Sequence, residues 1–159
     1  MTDPVREFAR HTLATLAYRG GKTLAGAPEG VGSYTARPGT RTPGQILAHI
    51  GDLLDWSLAL AGGQHVWHDS APQSWPEEVA RFFQALARLD ARLSSDTPLG
   101  FTEKQLFQGP IADALTHVGQ ITMLRRMFGS PVRGENYLKA EIVVGRVGPD
   151  QSAPRREFA

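Results

Sequence analysis

The chain reads as an all-α four-helix bundle with an irregular C-terminal extension. Four segments repeat apolar residues at the helical period, and the breaks between them carry Gly, Pro and Ser. At 159 residues the chain is the size of one ordinary domain, which four such helices fill without a second unit. The whole span 1–159 is therefore read as a single domain.

The first helix is expected over about residues 3–20. Asp3 can cap it with Pro4 at the first helical position, and Val5, Phe8, Thr12, Leu13, Leu16 and Ala17 follow as an apolar stripe until Gly20 and Gly21 weaken or end it. Residues 25–41 (AGAPEGVGSYTARPGTR) hold too many helix breakers for a regular element and are expected to form a long surface connection, a place for a lid or pocket rim. The second helix, about 42–61, opens at Thr42 with Pro43 behind it. It turns Ile46, Leu47, Ile50, Leu53, Leu54 and Leu58 inward before Gly62 and Gly63 stop it.

The third helix, about 75–94, starts near Ser74 or Trp75, with Pro76, Glu77 and Glu78 in a first turn suited to the positive end of the helix dipole. Val79, Phe82, Phe83, Leu86, Leu89 and Leu93 form its buried face. The fourth is expected over about 110–128, from Pro110 through Ile111, Leu115, Val118, Ile121 and Leu124 to Phe128, with Arg125 and Arg126 near the negative end and Gly129 after it. In the extension 129–159, NYLKAEIVVGRVG can hold a turn of helix or a short strand, and QSAPRREFA is a polar tail ordered only if it docks.

Composition narrows the function classes. Seventeen basic against sixteen acidic side chains leave no electrostatic footprint for nucleic acid or an anionic membrane, so a small molecule or another protein is the expected partner. The absence of cysteine excludes disulfides, zinc-thiolate sites and a cysteine nucleophile. MTDPVREFARH lacks the pattern of a signal peptide, and no apolar stretch approaches the roughly 20 residues of a membrane span, so a soluble cytoplasmic protein is expected. Nucleophile-elbow, phosphate-loop and HExxH patterns are missing; GGKT at 20–23 lacks the Walker spacing.

The chemistry-bearing residues are histidines and a carboxylate. Asp113 and His117 in ADALTHVGQ lie four apart and share one helix face, while His49 sits inside the apolar stripe of the second helix. A histidine buried there without a polar partner costs about 1–3 kcal/mol. Asp113 can supply that partner as a plain His–Asp hydrogen bond, or can be a first-turn carboxylate complementing the dipole. With His117 added, two imidazoles and one carboxylate make a ligand set with an open position, suited to Zn²⁺, Ni²⁺ or Fe²⁺. Asp52 and Gln120, each about one turn beyond a histidine, are candidates to orient ligands or substrate. Trp56 and Tyr18 can wall a pocket or simply fill the core. His65, His68 and Asp69 form a competing cluster in GQHVWHDSAP, a segment not expected to converge them, and His11 falls on an exposed face.

In TPGQILAHIGDLLDWSLAL, IADALTHVGQI and GENYLKAEIVVGRVG the chain resembles the DinB-like (YfiT-type) superfamily of metal-binding four-helix bundles. Such families place one histidine on the second helix and a His-x3-His pair on the fourth, commonly followed by Arg-Gly-Gln. Carried over, His49 is the first ligand, Asp113 replaces the first histidine of the pair and His117 is the second, with Val118, Gly119 and Gln120 following. Related thiol-dependent isomerases resemble this pattern with a carboxylate at the Asp113 position. The resemblance implies an up-down-down-up bundle, a divalent metal at one end of the core, homodimers, and transferase or isomerase chemistry with a low-molecular-weight thiol such as bacillithiol or mycothiol. The expected function is a metal-dependent enzyme, a thiol S-transferase or a hydrolase, using such a thiol or water on a small substrate. The alternative is a non-catalytic helical dimer or interaction protein with a buried His–Asp network.

Overall fold

In a computed structural model describing residues 3–158, the chain is helical throughout its core, and among the described residues the only β-pairing is an isolated bridge between Glu135 and Glu157. The long helices are α1 (Pro4–Leu24), α2 (Pro43–Ala61) and α3 (Trp75–Ser94). A fourth rod is built from α4 (Glu103–Leu106), a π segment (Phe107–Ile111) and α5 (Ala112–Phe128). No helix of the described residues is long and apolar enough to cross a membrane. The two terminal ends of the expected 1–159 domain, Met1–Thr2 and Ala159, lie outside the described residues.

Local chemistry sets most boundaries. Asp3 accepts from Val5 N–H at 2.9 Å, Thr42 and Gln45 close a reciprocal capping box, and Ser74 and Glu77 form another, each ahead of a Pro in the first turn. Leu13, Leu16 and Ala17 of α1, Ile46, Leu47, Ile50 and Leu54 of α2, Phe82, Leu86 and Leu89 of α3, and Ile111, Ala114 and Ile121 of the fourth rod share one core. Val5 and Phe8, expected in the α1 stripe, are exposed. The buried stripe runs through Ala9, Leu13 and Leu16, and a residue next to Ala9 is rotated about 100° away from it.

Two expected boundaries change. Gly20 and Gly21 do not end α1, which continues to Leu24. A Cβ at Gly20 would lie 2.6 Å from the Phe82 ring, so this glycine lets α1 and α3 pack closely rather than breaking the helix. Nor does Pro110 begin the fourth rod. Thr102 caps it through a box with Gln105, a signal already present in TEKQ, and Pro110 is carried inside the rod by the π segment. Proline has no N–H and clashes with the carbonyl four residues back; the bulge relieves this by widening the turn, so that Ala112 N–H reaches Phe107 O, five residues back. Asp113 therefore sits well inside a rod, which removes its reading as a first-turn dipole partner.

Side-chain contacts give the directions. Asp52 meets Arg81 and Asp55 meets Arg88, while Ala61 O accepts from Arg92, so α2 and α3 run parallel. Arg10 pairs with Asp90, and Arg6 reaches Ser95 and Thr97, so α1 opposes α3. Arg6 also meets Glu103 at 3.5 Å while Thr23 meets Thr122 at 2.8 Å, making α1 parallel to the fourth rod. Along the chain the directions read up, down, down, up.

The C-terminal extension docks on α1. Tyr18 Oη donates to Glu135 at 2.6 Å and Lys22 Nζ donates to the other oxygen at 2.8 Å, with the Glu135 side chain fully enclosed. NYLKAEIVVGRVG contributes a 3₁₀ turn at Tyr137–Lys139 and no strand. Asn136 N–H to Arg156 O and Phe158 N–H to Gly134 O then tie down the polar tail. Tyr18 thus anchors the extension and does not wall the His49 site.

Gly20→Val is expected to lower the unfolding free energy by about 2 kcal/mol through overpacking against Phe82, read by urea denaturation. Gly21→Ala, whose Cβ would make an ordinary 3.5 Å contact with Phe83, should be neutral or stabilising by up to about 1 kcal/mol.

Candidate metal centre

The site forms where α2 and α5 cross the core side by side in opposite directions. His49 leaves α2 between the buried Ala48 and Ile50, and Asp113 and His117 leave α5 one turn apart. His49 Nε2 lies 3.8 Å from Asp113 Oδ2, His117 Nε2 lies 3.5 Å from Asp113 Oδ1, and the two imidazole rings meet nearly edge to face with centroids 4.7 Å apart. One ligand atom from each residue falls within 4.8 Å of the other two. Among the described residues this is the one group of three His, Cys, Asp or Glu side chains so placed.

The spacing bears on two readings of the cluster. Direct N–H···O hydrogen bonds run to about 3.2 Å, so neither histidine is satisfied by Asp113. Ligand atoms about 2.1 Å from a shared ion at tetrahedral angles stand about 3.4 Å apart; here each Asp113 oxygen stands 3.5 or 3.8 Å from one imidazole nitrogen, and one ligand atom from each residue lies within 4.8 Å of the other two. The donor set fits a borderline divalent ion, and its three members leave further coordination positions free.

Each donor is prepared differently. Burial pushes the His49 pKa down, His117 and Arg41 push it the same way, and Asp113 and Asp52 oppose them; the result is lowered, which favours the neutral, ligating imidazole. His117 is held by Gln120, whose Oε1 lies 2.8 Å from Nδ1; with Nδ1–H donating, the Nε2 lone pair faces Asp113 and the site. The histidine side chains are 17% and 13% exposed and Asp113 is 49% exposed, so the carboxylate marks the open side.

Sequence reasoning placed His49, Asp113, His117 and Gln120 where the structure brings them together. Asp52 has another task. It is 2% exposed, and its oxygens take Ser70 N–H at 2.8 Å, Ser70 Oγ–H at 2.7 Å and Arg81 Nη2 at 2.6 Å. It acts on the site by pinning the 62–74 connection beside it and through its charge near His49. His65, His68 and Asp69 in that connection are exposed and gather no such group, and His11 is also exposed. What sequence reasoning missed is Trp67, whose ring packs 5.5 Å from His49 and 5.8 Å from Trp56. No periodicity marks a tryptophan in an irregular segment, and only its position between two histidines drew attention to the stretch.

Fold and site together define an all-helical bundle with a candidate His–Asp–His metal centre. No protein-family model, curated protein or solved structure matches the chain.

Asp52 has a pH consequence. Burial raises its pKa, but hydrogen bonds from Arg81 and from the Ser70 amide and hydroxyl outweigh it and leave the carboxyl below its ordinary range. Its stabilisation is thus present above the unfolded value near about 4 and is lost as pH falls toward the lower folded one. Asp52→Asn is expected to cost about 3 kcal/mol at pH 7 and to flatten the acid limb of a stability-against-pH curve measured by urea denaturation.

Proposed function

We propose that the chain is a DinB-like divalent-metal protein in which His49, Asp113 and His117 hold the ion, acting as a metal-dependent enzyme on a small substrate. The observation that supports this reading is the convergence of the three donors within 4.8 Å of one another, with Gln120 Oε1 2.8 Å from His117 Nδ1. The competing reading, a non-catalytic protein with a buried His–Asp network, is disfavoured because 3.5 and 3.8 Å are too long for the hydrogen bonds such a network needs.

When bound, a divalent ion supplies Lewis acidity, lowering the pKa of a thiol or water brought to its open side. The protein's own part is to present His49 as a neutral imidazole, to hold His117 through Gln120, and to leave the Asp113 side accessible. The chain has no thiol of its own, so a thiol nucleophile in this reading comes from a low-molecular-weight thiol such as bacillithiol or mycothiol, and water is the other nucleophile it allows; the absence of cysteine is compatible with this without supporting it. Thiol transfer and a homodimeric state belong to the same proposal and are supported by the sequence resemblance.

Protein purified without a histidine tag is expected to carry about one Zn²⁺, Ni²⁺ or Fe²⁺ per chain by elemental analysis, and His49→Ala or His117→Ala to lose it, with His11→Ala unchanged. Substoichiometric metal that stays the same in His49→Ala overturns the reading. Gln120→Leu should weaken zinc binding about 10–100-fold, read by competition with a chromogenic chelator. Thermal-shift measurements with bacillithiol, mycothiol, glutathione and coenzyme A then separate the chemistries, since a ligand specific to the native state raises the melting temperature. A shift with a thiol supports transfer, and none favours water as the nucleophile.

A further inference from the structure

We propose that Trp56, Trp67 and the π segment of the fourth rod form a binding subsite for a flat, uncharged aromatic arm of the substrate, whose polar head meets the ion. This rests on the metal-centre reading above and names the class of molecule that the centre receives.

A shallow, open depression of about 430 Å³ adjoins the open side of the site, lined by Trp56, Gln108, Gly109, Ala112, Asp113 and Thr116. Asp113 is common to both, so a molecule reaching the ion's free positions from solvent has this cavity beside it. The lining contains no Lys, Arg or His, and its single charge is the carboxylate directed at the histidines. An anionic arm finds no counter-charge there. The Thr116 hydroxyl is already donating to Ala112 O at 3.1 Å, leaving Gln108 as the free polar side chain of the wall.

The apolar surface is aromatic and shaped. Trp56 and Trp67 stand at 87° to one another, and Trp67 in turn meets the His49 ring at 69°, so the indoles form a corner next to a ligand. Rings prefer edge-to-face or offset contacts at centroid separations of about 4.5–7 Å; Trp56 is the ring that lines the cavity, and Trp67, outside that lining, packs against both Trp56 and His49, where an arm reaching from the cavity toward the ion would meet it. Gly109 keeps the Trp56 ring open: even a Cβ there would approach Trp56 Cη2 to 4.0 Å, and a longer side chain would cover the ring. The π segment that presents Gly109 and Gln108 is of a kind that recurs at functional sites. Trp67 remains 42% exposed although Ser70, three residues on, is pinned to Asp52, so an apolar ring is held at the rim of the site.

The test uses the zinc-loaded full chain and two chelators sharing one polar head, acetohydroxamate and benzohydroxamate, titrated calorimetrically with zinc content measured in parallel. Benzohydroxamate is expected to bind about tenfold more tightly. In Trp67→Ala, a change on an exposed loop, the ratio should fall to about twofold or less while acetohydroxamate affinity and zinc content stay the same. Trp67→Phe should restore most of the preference. Equal affinities in the native chain, or a preference undiminished in Trp67→Ala, overturn the subsite alone. Failure of the native chain to take up zinc overturns the metal centre and the subsite with it.

Discussion

The position of the site depends on α2 and α3 lying parallel, and Arg81 is the contact at the centre of that seam. Its guanidinium donates to Asp52 at 2.6 Å and Asp55 at 2.9 Å, with a longer bond to Ala48 O at 3.2 Å. Gly51 leaves room for it, since a Cβ there would stand 2.8 Å from the guanidinium. Consecutive parallel helices cannot be joined by a tight turn. The 19 residues of α2 rise about 28 Å at about 1.5 Å each, so the connection over 62–74 must travel back along the bundle. On that path it passes His49, and this brings Trp67 to the centre.

The Asp52–Arg81 pair is better understood as fixing an arrangement than as a large source of stability. Both groups lose hydration, and for a buried pair that penalty offsets much of the Coulomb attraction. What a hydrophobic replacement would lack is direction. Asp52 binds α3 through Arg81 and the returning connection through Ser70 with the same two oxygens, so helix register and loop position are set together. Glu78, also buried, adds to this end of α3 by accepting from Gln73 N–H at 2.9 Å, with its other oxygen 3.8 Å from Arg81.

How much was legible in the sequence follows the range of the interactions involved. The start of α2, its stop at Gly62 and the start of α3 depend on caps, first-turn prolines and a terminal glycine, all within a few residues of the boundary, and the expected spans agree with the structure. The end of α1 was misread because the role of Gly20 is decided by Phe82 on another helix. Pro110 was misread as a helix start because its accommodation depends on a bulge that no local rule calls for, although the Thr102–Gln105 box was there to be seen. For the site the division is the same. His117, Asp113 and Gln120 share one helix face and His49 interrupts an apolar stripe, so spacing exposed them. Trp67 and the actual task of Asp52 depend on where a thirteen-residue connection returns, which no spacing encodes.

Asp113 gives the centre its asymmetry. Two neutral imidazoles and one carboxylate would leave a divalent ion with a net charge of about plus one, whereas a three-histidine site would leave plus two. The carboxylate lowers the attraction for a further anion and matches a cavity that offers no cation of its own. Its placement matters as much as its charge. The histidines are enclosed between helices while Asp113 is half exposed, so access to the centre lies on the carboxylate's side, where Trp56 and Gly109 also stand. A histidine at position 113 would add bulk at that entrance as well as remove charge. In the proposed centre the aspartate would therefore bear on which molecules reach an ion as much as on which ion is held.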